Sequence, residues 1–330
     1  MSSDLNISEK YLANNDKAWY NIENYRMKHG YFLFMQNFRQ ISIEDKQLFE
    51  KYYGGRKISS YESFSNMLMW QAEDKLEYAV INGFLCVVGI NSVSGKRFSY
   101  MPVGGDDSAL CDTVIALKAE YPDIIFTYLK KGDTDKLNAI FGEKAEISEE
   151  RDLFEYIYEA EKLRTLSGKA LHAKRNHINK FEATYESRFD MISSENKAEL
   201  EEAILALRDD PALEENKTML VDEDAAIDKL YENFDALGLT AGVLYADGNI
   251  AAYTIGEMIN GDTALIHVEK AHRDIEGAYT VVNQRFITEA FPTALYANRE
   301  EDMGVEGLRK AKLSYSPLPF DKIYSAKINS

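Results

Sequence analysis

The chain has 330 residues and a formal net charge of −17, with 45% hydrophobic and 12% aromatic residues. This length exceeds that of an average single domain with one hydrophobic core and is typical of two domains. The acidic balance excludes general binding to nucleic acids or membrane surfaces, except at a local basic segment. With only two cysteines, a disulfide framework and a cysteine-based metal site are excluded as well.

The first half predicts a helical extension and then a series of strands and helices. Residues 1–31 form the extension. Asn82-Gly83 lies between two apolar runs and predicts a type I′ hairpin turn. The predicted strands are residues 32–41, 76–81, 84–90, 98–103, 124–129 and 153–158, and the predicted helices are residues 44–53, 62–70, 109–121 and 133–141.

Residues 162–181 carry six lysines and arginines, two histidines and no acid. Ser167 is a suitable N-cap for a helix, and helical spacing predicts a packed stripe of Ala170, Ala173, His177 and Phe181. Three cations then project towards solvent or an anionic ligand: Lys174, Arg175 and Lys180. The segment is a solvated or acid-anchored face, a phosphate-recognition surface, or a protein contact.

The second half repeats the order of the first. Its predicted strands are residues 185–192, 239–246, 250–259, 264–269, 293–297 and 323–328, and its predicted helices are residues 194–208, 222–237, 278–290 and 304–315. Asp247-Gly248 predicts a second type I′ turn. We therefore expect a mixed α/β protein with two similar domains, residues 32–160 and 183–330, joined by a basic helix at residues 161–182.

Candidate catalytic residues end the fourth strand of the second half. Alternation puts His267 and Glu269 on one face, and a carboxylate beside an imidazole is a candidate general base. A surface strand end is the alternative interpretation. A metal site that adds His272 is disfavoured, because one strand end is a poor cage for an ion.

Candidate ligand-binding residues follow in two loops and a helix. Arg273 and Gly277 precede a helix N-terminus, a place suited to an anion, although the same residues suit an ordinary cap. Asn298 and Arg299 come directly after a buried strand, where loops line the cleft of α/β folds. Lys310 lies in the last helix and is a further candidate.

Three segments carry a resemblance to a known family: LHAKRNHINKF, HVEKAHRDIEGAYTVVNQRF and NREEDMGVEGLRKAKLSY. Together they resemble bacterial tandem GNAT-like proteins similar to the C-terminal domain of phosphatidylglycerol lysyltransferases, over residues 35–330. The resemblance implies two GNAT-like domains and transfer of an acyl or aminoacyl group, within a groove between the domains. Compared with acetyl-CoA enzymes, Arg273 and Gly277 are spaced one residue wider, and Lys310 stands where those enzymes carry a tyrosine.

These departures favour an aminoacyl-tRNA-like donor over acetyl-CoA. The expected partners are therefore an activated acyl donor, with tRNA at the basic helix, and a small-molecule or lipid-headgroup acceptor, without DNA. A conventional acetyl-CoA-dependent N-acetyltransferase and a non-catalytic nucleotide- or protein-binding module are the alternatives. The sequence begins without a signal-peptide pattern and has no apolar run of membrane-spanning length, so we expect a cytoplasmic protein.

Overall fold

The structure of the protein, a computed structural model, describes residues 38–208 and 217–329, without the side chains of residues 217–222. The predicted helical extension at residues 1–31 lies outside the described residues. The described chain divides into two compact units. Unit 1 contains the residues up to Gly54, Trp70–Leu153 and the segment from Asp321, and unit 2 contains Gly55–Met69 and Phe154–Phe320.

The described strands and helices follow the predicted order closely. The strands are β1 Arg39–Gln40, β2 Glu77–Ile81, β3 Phe84–Ile90, β4 Arg97–Ser99, β5 Val103–Gly104, β6 Ile125–Leu129, β7 Ala145–Glu149, β8 Ile157–Glu159, β9 Ser187–Ile192, β10 Thr240–Ala246, β11 Asn249–Ile259, β12 Thr263–Ala271, β13 Tyr296–Asn298 and β14 Tyr324–Ile328. The α-helices are α1 Lys46–Tyr53, α2 Phe64–Met69, α3 Asp107–Glu120, α4 Lys131–Phe141, α5 Ala160–Thr165, α6 His172–Thr184, α7 Lys197–Arg208, α8 Lys217–Glu232, α9 Phe234–Leu237, α10 Ala278–Glu289 and α11 Glu306–Leu313.

Unit 1 is built on a mixed sheet with the strand order β1-β2-β3-β4-β6-β14-β7, and β5 pairs with β3. Buried residues from this sheet and from helices α3 and α4 form its core, including Val88, Val114, Phe126 and Leu137. The C-terminal strand β14 is part of this core through Ala326 and Ile328.

Unit 2 is built on a six-stranded mixed sheet with the order β8-β13-β12-β11-β10-β9. Helix α10 packs on this sheet, where Phe286 and Ile287 join one buried cluster and Val281 and Val282 join a second. Phe181 of helix α6 belongs to the second cluster and is fully buried. Both α6 and α10 are therefore anchored on the same sheet.

Both predicted hairpin turns are confirmed. Asn82 and Gly83 have φ values of +51° and +82°, and Asp247 and Gly248 have φ values of +51° and +79°. Positive φ at both central residues is the signature of a type I′ turn, which matches the twist of the flanking strands. The strand registers agree, since Ile81 pairs with Phe84 at the first turn.

The two units divide the chain differently from the predicted domain ranges. Strand β8, at the end of the range 32–160, pairs with β13 in the sheet of unit 2. Strand β14, at the end of the range 183–330, pairs with β6 and β7 in the sheet of unit 1. Local periodicity predicts that these strands exist, but the choice of partner depends on contacts far apart in sequence.

Helix α6 covers the second half of the predicted basic helix, and of the predicted packed stripe Phe181 is buried whereas the other three residues are not. The helix begins at His172, with Leu171 rather than Ser167 at its N-cap. Ala170, Ala173 and His177 are exposed, whereas the inward face is formed by Leu171, Lys174, Ile178 and Phe181. Lys174 therefore lies on the inward side of the helix, one residue after the predicted position Ala173.

Candidate functional site

The candidate site lies in unit 2, where strands β12 and β13 separate. These parallel strands pair only through residues 263–265 and 296–298. Strand β12 continues to Ala271, whereas β13 ends at Asn298. Diverging neighbours leave a gap at the carboxyl edge of a sheet, the usual position for a ligand in open α/β sheets.

Glu269 lies on the part of β12 that continues beyond this pairing, and both of its oxygens are occupied. Its Oε1 accepts a hydrogen bond from Nη2 of Arg299 at 2.8 Å, and its Oε2 accepts one from Nδ2 of Asn283 at 3.0 Å. The Glu269 and Arg299 side chains are 10% and 13% exposed. Glu269 is thus the carboxylate of a largely buried ion pair that orients the guanidinium.

Two polar atoms of this cluster have no partner. Nη1 of Arg299, a donor, and Oδ1 of Asn283, an acceptor, are buried and form no hydrogen bond with the described residues. Buried polar groups in native proteins are nearly always paired, and leaving one unpaired costs about 1–3 kcal/mol. We name these residues, Glu269, Arg299 and Asn283, the Glu269 cluster; it contains one buried donor and one buried acceptor that no described residue satisfies.

Tyr315 connects the Glu269 cluster to helix α6. The guanidinium carbon of Arg299 lies 4.8 Å from the centre of the Tyr315 ring, and Nζ of Lys174 lies 3.9 Å from it. Burial and, to a smaller extent, the nearby Arg299 together lower the pKa of Lys174 to about 8, although Glu269 opposes the change. The hydroxyl of Tyr315 donates to Oγ1 of Thr280 at 3.3 Å, at the start of α10.

Lys174 also lines a cleft of about 240 Å³. The cleft lies beside the loop that follows β12 and the first turn of helix α10, and its lining residues include His177, His272, Arg273, Glu276 and Gly277. Arg273 is exposed and forms no ion pair with the described part of the chain. A helix N-terminus with basic side chains around it is suited to an anion.

Gly277 allows helix α6 to approach this loop closely. Its φ is +92°, and a Cβ at this position would lie 2.9 Å from the carbonyl oxygen of His177. Lys180, one turn further along α6, forms an ion pair with Glu276. The sequence predicted both residues as ligand contacts, and the structure gives each of them a contact that holds α6 against the loop.

His267 lies two residues before Glu269 on β12 and has different hydrogen-bond partners. Its imidazole is fully buried, with Nε2 at 3.1 Å from Oε1 of Glu257 and Nδ1 at 3.2 Å from Oε1 of Glu300. Burial by itself lowers the pKa of His267, but the two carboxylates outweigh it and raise the pKa to about 9. An imidazolium that stays protonated at neutral pH is not available to accept a proton.

A β-bulge explains the placement of His267. Ile255 pairs with Val268 but Gly256 pairs with Ile266, so His267 has no partner in the register of β11. Gly256 is required at this point, because a Cβ would lie 2.5 Å from the carbonyl oxygen of Leu265. Bulges redirect a side chain locally, and the simple alternation used for the sequence does not anticipate them.

Three other residues that the sequence predicted to bind a ligand either form hydrogen bonds within the protein or are exposed to solvent. Nδ2 of Asn298 donates to Oε1 of Glu155 at 2.9 Å, and Asn298 is buried. Arg175 donates to the carbonyl oxygens of Leu166 and Gly168. Lys310 is exposed on α11. Of the predicted site residues, the structure thus brings together Lys174, Glu269 and Arg299, with Arg273 and Gly277 at the neighbouring cleft.

The sequence analysis did not identify two residues that support this site, Asp302 and Lys312. Asp302 is fully buried and accepts hydrogen bonds from Arg309 at 2.7 Å and 2.8 Å and from the hydroxyl of Tyr156 at 2.6 Å. Burial opposes ionisation of Asp302, but these donors hold its pKa far below the usual range. Nζ of Lys312 donates to the carbonyl oxygen of Arg299 at 2.6 Å and fixes the backbone that carries the guanidinium. The acidic run Glu300-Glu301-Asp302 before α11 was the available signal.

Within the described ranges, no group of three or more histidine, cysteine or acidic side chains is arranged to hold a metal ion. None of the helices in those ranges combines the length and the apolar composition that crossing a membrane requires.

Comparisons with known proteins agree with this architecture. A conserved protein of unknown function from Bacteroides thetaiotaomicron has a solved structure that matches with 32% sequence identity and a TM-score of 0.80, over 88% of this chain and 99% of that one. The structure of L-PGS from Bacillus licheniformis matches with 15% identity and a TM-score of 0.57, over 88% and 92% of the two chains. A tandem GNAT protein from the clavulanic acid biosynthesis pathway matches with 10% identity and a TM-score of 0.51, over 89% and 98% of the chains. The last two likenesses concern the fold alone, which is mixed α/β with GNAT-like neighbours.

An uncharacterized protein of Mycoplasmoides gallisepticum is 29% identical over 178 residues, which are 52% of this chain and 56% of that protein. The match therefore spans little more than half the length of this curated relative. The family model described as phosphatidylglycerol lysyltransferase, C-terminal, matches residues 56–327, which include all of unit 2 but one residue and most of unit 1. By this match the chain belongs to the phosphatidylglycerol lysyltransferase C-terminal family.

Proposed function

We propose that the protein is an acyltransferase of the GNAT type that moves an aminoacyl group from an activated ester to a nucleophilic acceptor. The observation that carries this proposal is the unpaired donor and acceptor of the Glu269 cluster, which Tyr315 connects to Lys174 in the lining of the cleft. An aminoacyl group supplies the complementary pair, because its carbonyl oxygen accepts and its amino group donates. An acetyl group supplies only the acceptor.

Arg299 is the proposed electrostatic catalyst. Its free Nη1 donates to the carbonyl oxygen of the ester, which becomes an oxyanion when the acceptor attacks the carbonyl carbon. The bond from carbon to the leaving oxygen then breaks, and the leaving oxygen takes up the proton that the acceptor nucleophile gives up. A fixed donor in a buried site stabilises that oxyanion more than water does, and removal of such a donor typically costs about 10²–10³ in kcat.

Glu269 is the proposed positioning residue rather than the general base. Both of its oxygens already accept hydrogen bonds, from Arg299 and from Asn283. In this role it holds the Arg299 guanidinium and the Asn283 amide in the positions from which they would contact the acyl group. His267 is proposed as a structural ion-pair partner, since its two carboxylates keep it protonated.

The donor's phosphate is proposed to bind in the cleft, at the first turn of α10 with Arg273 and Lys174 beside it. The first turn of a helix offers unpaired backbone N–H groups and a partial positive charge.

The repeated order of elements supports the further proposal that both units derive from one GNAT-like domain, with α6 as the basic segment beside the donor site.

The proposal is tested by binding of two donors. We expect a short tRNA acceptor stem charged with an amino acid to raise the melting temperature, and coenzyme A to leave it unchanged. A ligand at 100 times its Kd stabilises the folded state by about 2.7 kcal/mol. The variant Lys174→Glu should lose this shift while it keeps a cooperative unfolding transition.

Other outcomes of this binding experiment would support the alternative functions. A shift with coenzyme A alone supports an acetyl-CoA-dependent N-acetyltransferase. No shift with either donor supports a non-catalytic binding module.

A further inference from the structure

The cleft beside α10 has an apolar part in its lining as well as a basic part. Three lining residues are apolar or aromatic: Ile275, Ala278 and Tyr279. They lie close to Arg273 in sequence, in the loop after β12 and in the first turn of α10. A free phosphate would need only the basic part and the helix N-terminus. An apolar wall beside them is suited to a ligand that joins an anion to a flat, apolar group.

Tyr279 is the aromatic residue of this wall, and its ring is the part that is exposed. The residue is 39% exposed. Burial raises the pKa of its hydroxyl, although a hydrogen bond with the backbone of Ala271 opposes the change. The exposed surface therefore belongs to the ring, while the buried hydroxyl anchors it. A ring that is already held in place loses little conformational freedom when a flat group stacks on it.

We propose that the ring of Tyr279 stacks on the adenine base of the donor, whose phosphate lies at the first turn of α10. This inference rests on the proposed function and names the part of the donor that the cleft recognises. An adenine nucleotide joins an anion to a flat base, and aromatic side chains are a usual platform for bases outside a duplex. Charged tRNA carries its acyl group on a terminal adenosine, and coenzyme A contains adenosine as well. Because stacking depends on contact area and on the face of the ring, the contact does not require a net positive charge in the cleft.

The test uses two probes that differ only in the base, AMP and ribose 5-phosphate, titrated into the full chain by calorimetry. Stacking of one base on an aromatic side chain is worth about 5- to 150-fold in affinity. We therefore expect the wild type to bind AMP at least fivefold more tightly than ribose 5-phosphate. In Tyr279→Leu this preference should fall at least threefold, while the affinity for ribose 5-phosphate stays the same. Tyr279→Phe is the matched control, because it keeps the ring and should keep the preference.

The outcomes separate this inference from the proposed function. Equal affinity of the wild type for AMP and ribose 5-phosphate would overturn the inference, needs no variant, and would leave the phosphate site standing. An unchanged preference in Tyr279→Leu, with the melting transition of the wild type in circular dichroism, would overturn the role of Tyr279. Binding of neither probe would overturn the inference as well, and a charged acceptor stem that still raised the melting temperature would then leave the proposed function intact.

Two larger probes distinguish the sources of the adenine nucleotide. They are coenzyme A and a 5′-phosphorylated RNA trinucleotide of sequence CCA, the end of a tRNA. Tighter binding of the trinucleotide, weakened in Tyr279→Leu, is the result that we expect. Tighter binding of coenzyme A, weakened in the same variant, would keep the stacking contact but overturn the proposed donor.

Discussion

The buried ion pairs of His267 predict a specific dependence of stability on pH. His267 lies between Glu257 and Glu300 with its side chain fully buried. Its pKa is raised from 6.5 to about 9, because the two carboxylates outweigh the effect of burial. A raised pKa means that the folded state binds the proton more tightly than the unfolded state does. The stabilisation is therefore fully present below pH 6.5 and is lost as the pH rises through 9.

The size of this effect follows from the shift. Each pKa unit corresponds to about 1.4 kcal/mol, so protonation of His267 contributes about 3 kcal/mol to the free energy of unfolding. His267→Gln removes the titrating group and keeps a side chain that can donate to one carboxylate. We expect the wild type to be more stable than this variant by at least this amount at pH 6, and the difference to shrink by about 3 kcal/mol by pH 9.5.

Urea unfolding followed by far-UV circular dichroism at pH 6, 7, 8 and 9.5 measures this difference. Groups that titrate equally in both proteins cancel in the comparison. His172→Gln is the control, since His172 is exposed on α6 and should leave the pH dependence of the wild type unchanged. If the stability curves of wild type and His267→Gln ran parallel over this range, the assignment of a protonated, doubly paired imidazole would be refuted.

Three further predictions concern the support of the site. Asp302→Asn should lower the free energy of unfolding by about 2–3 kcal/mol in thermal denaturation, because the charge-assisted bonds from Arg309 are lost; a neutral effect would contradict them. Gly277→Ala should lower the free energy of unfolding by about 1–3 kcal/mol, since alanine is strained at this positive φ and its Cβ would contact a carbonyl oxygen of α6. A melting temperature equal to that of the wild type would argue against this close approach. Glu269→Gln and Arg299→Gln should each destabilise by about 3 kcal/mol, and the double variant by much less than their sum, whereas additive losses in a double-mutant cycle would exclude a buried ion pair.

The sequence determined the local structure well. Asn82-Gly83 and Asp247-Gly248 form type I′ turns because few other residue pairs adopt positive φ at both positions. Alternating apolar runs placed most strands within a few residues of their bounds, although β7 was missed. The sequence also indicated the family through three motifs, and it identified Lys174, Glu269 and Arg299 among the candidate residues.

The tertiary structure alone decided how these parts combine. Strands β8 and β14 pair in the sheets of units 2 and 1, because pairing depends on partners distant in sequence. Lys174 faces inward because it shares the face of α6 that buries Ile178 and Phe181. Protonated His267 is held between Glu257 and Glu300 at a bulge that simple alternation does not predict. The chemistry of a side chain is set by its buried neighbours, and those neighbours are brought together only when the sheet of unit 2 is formed.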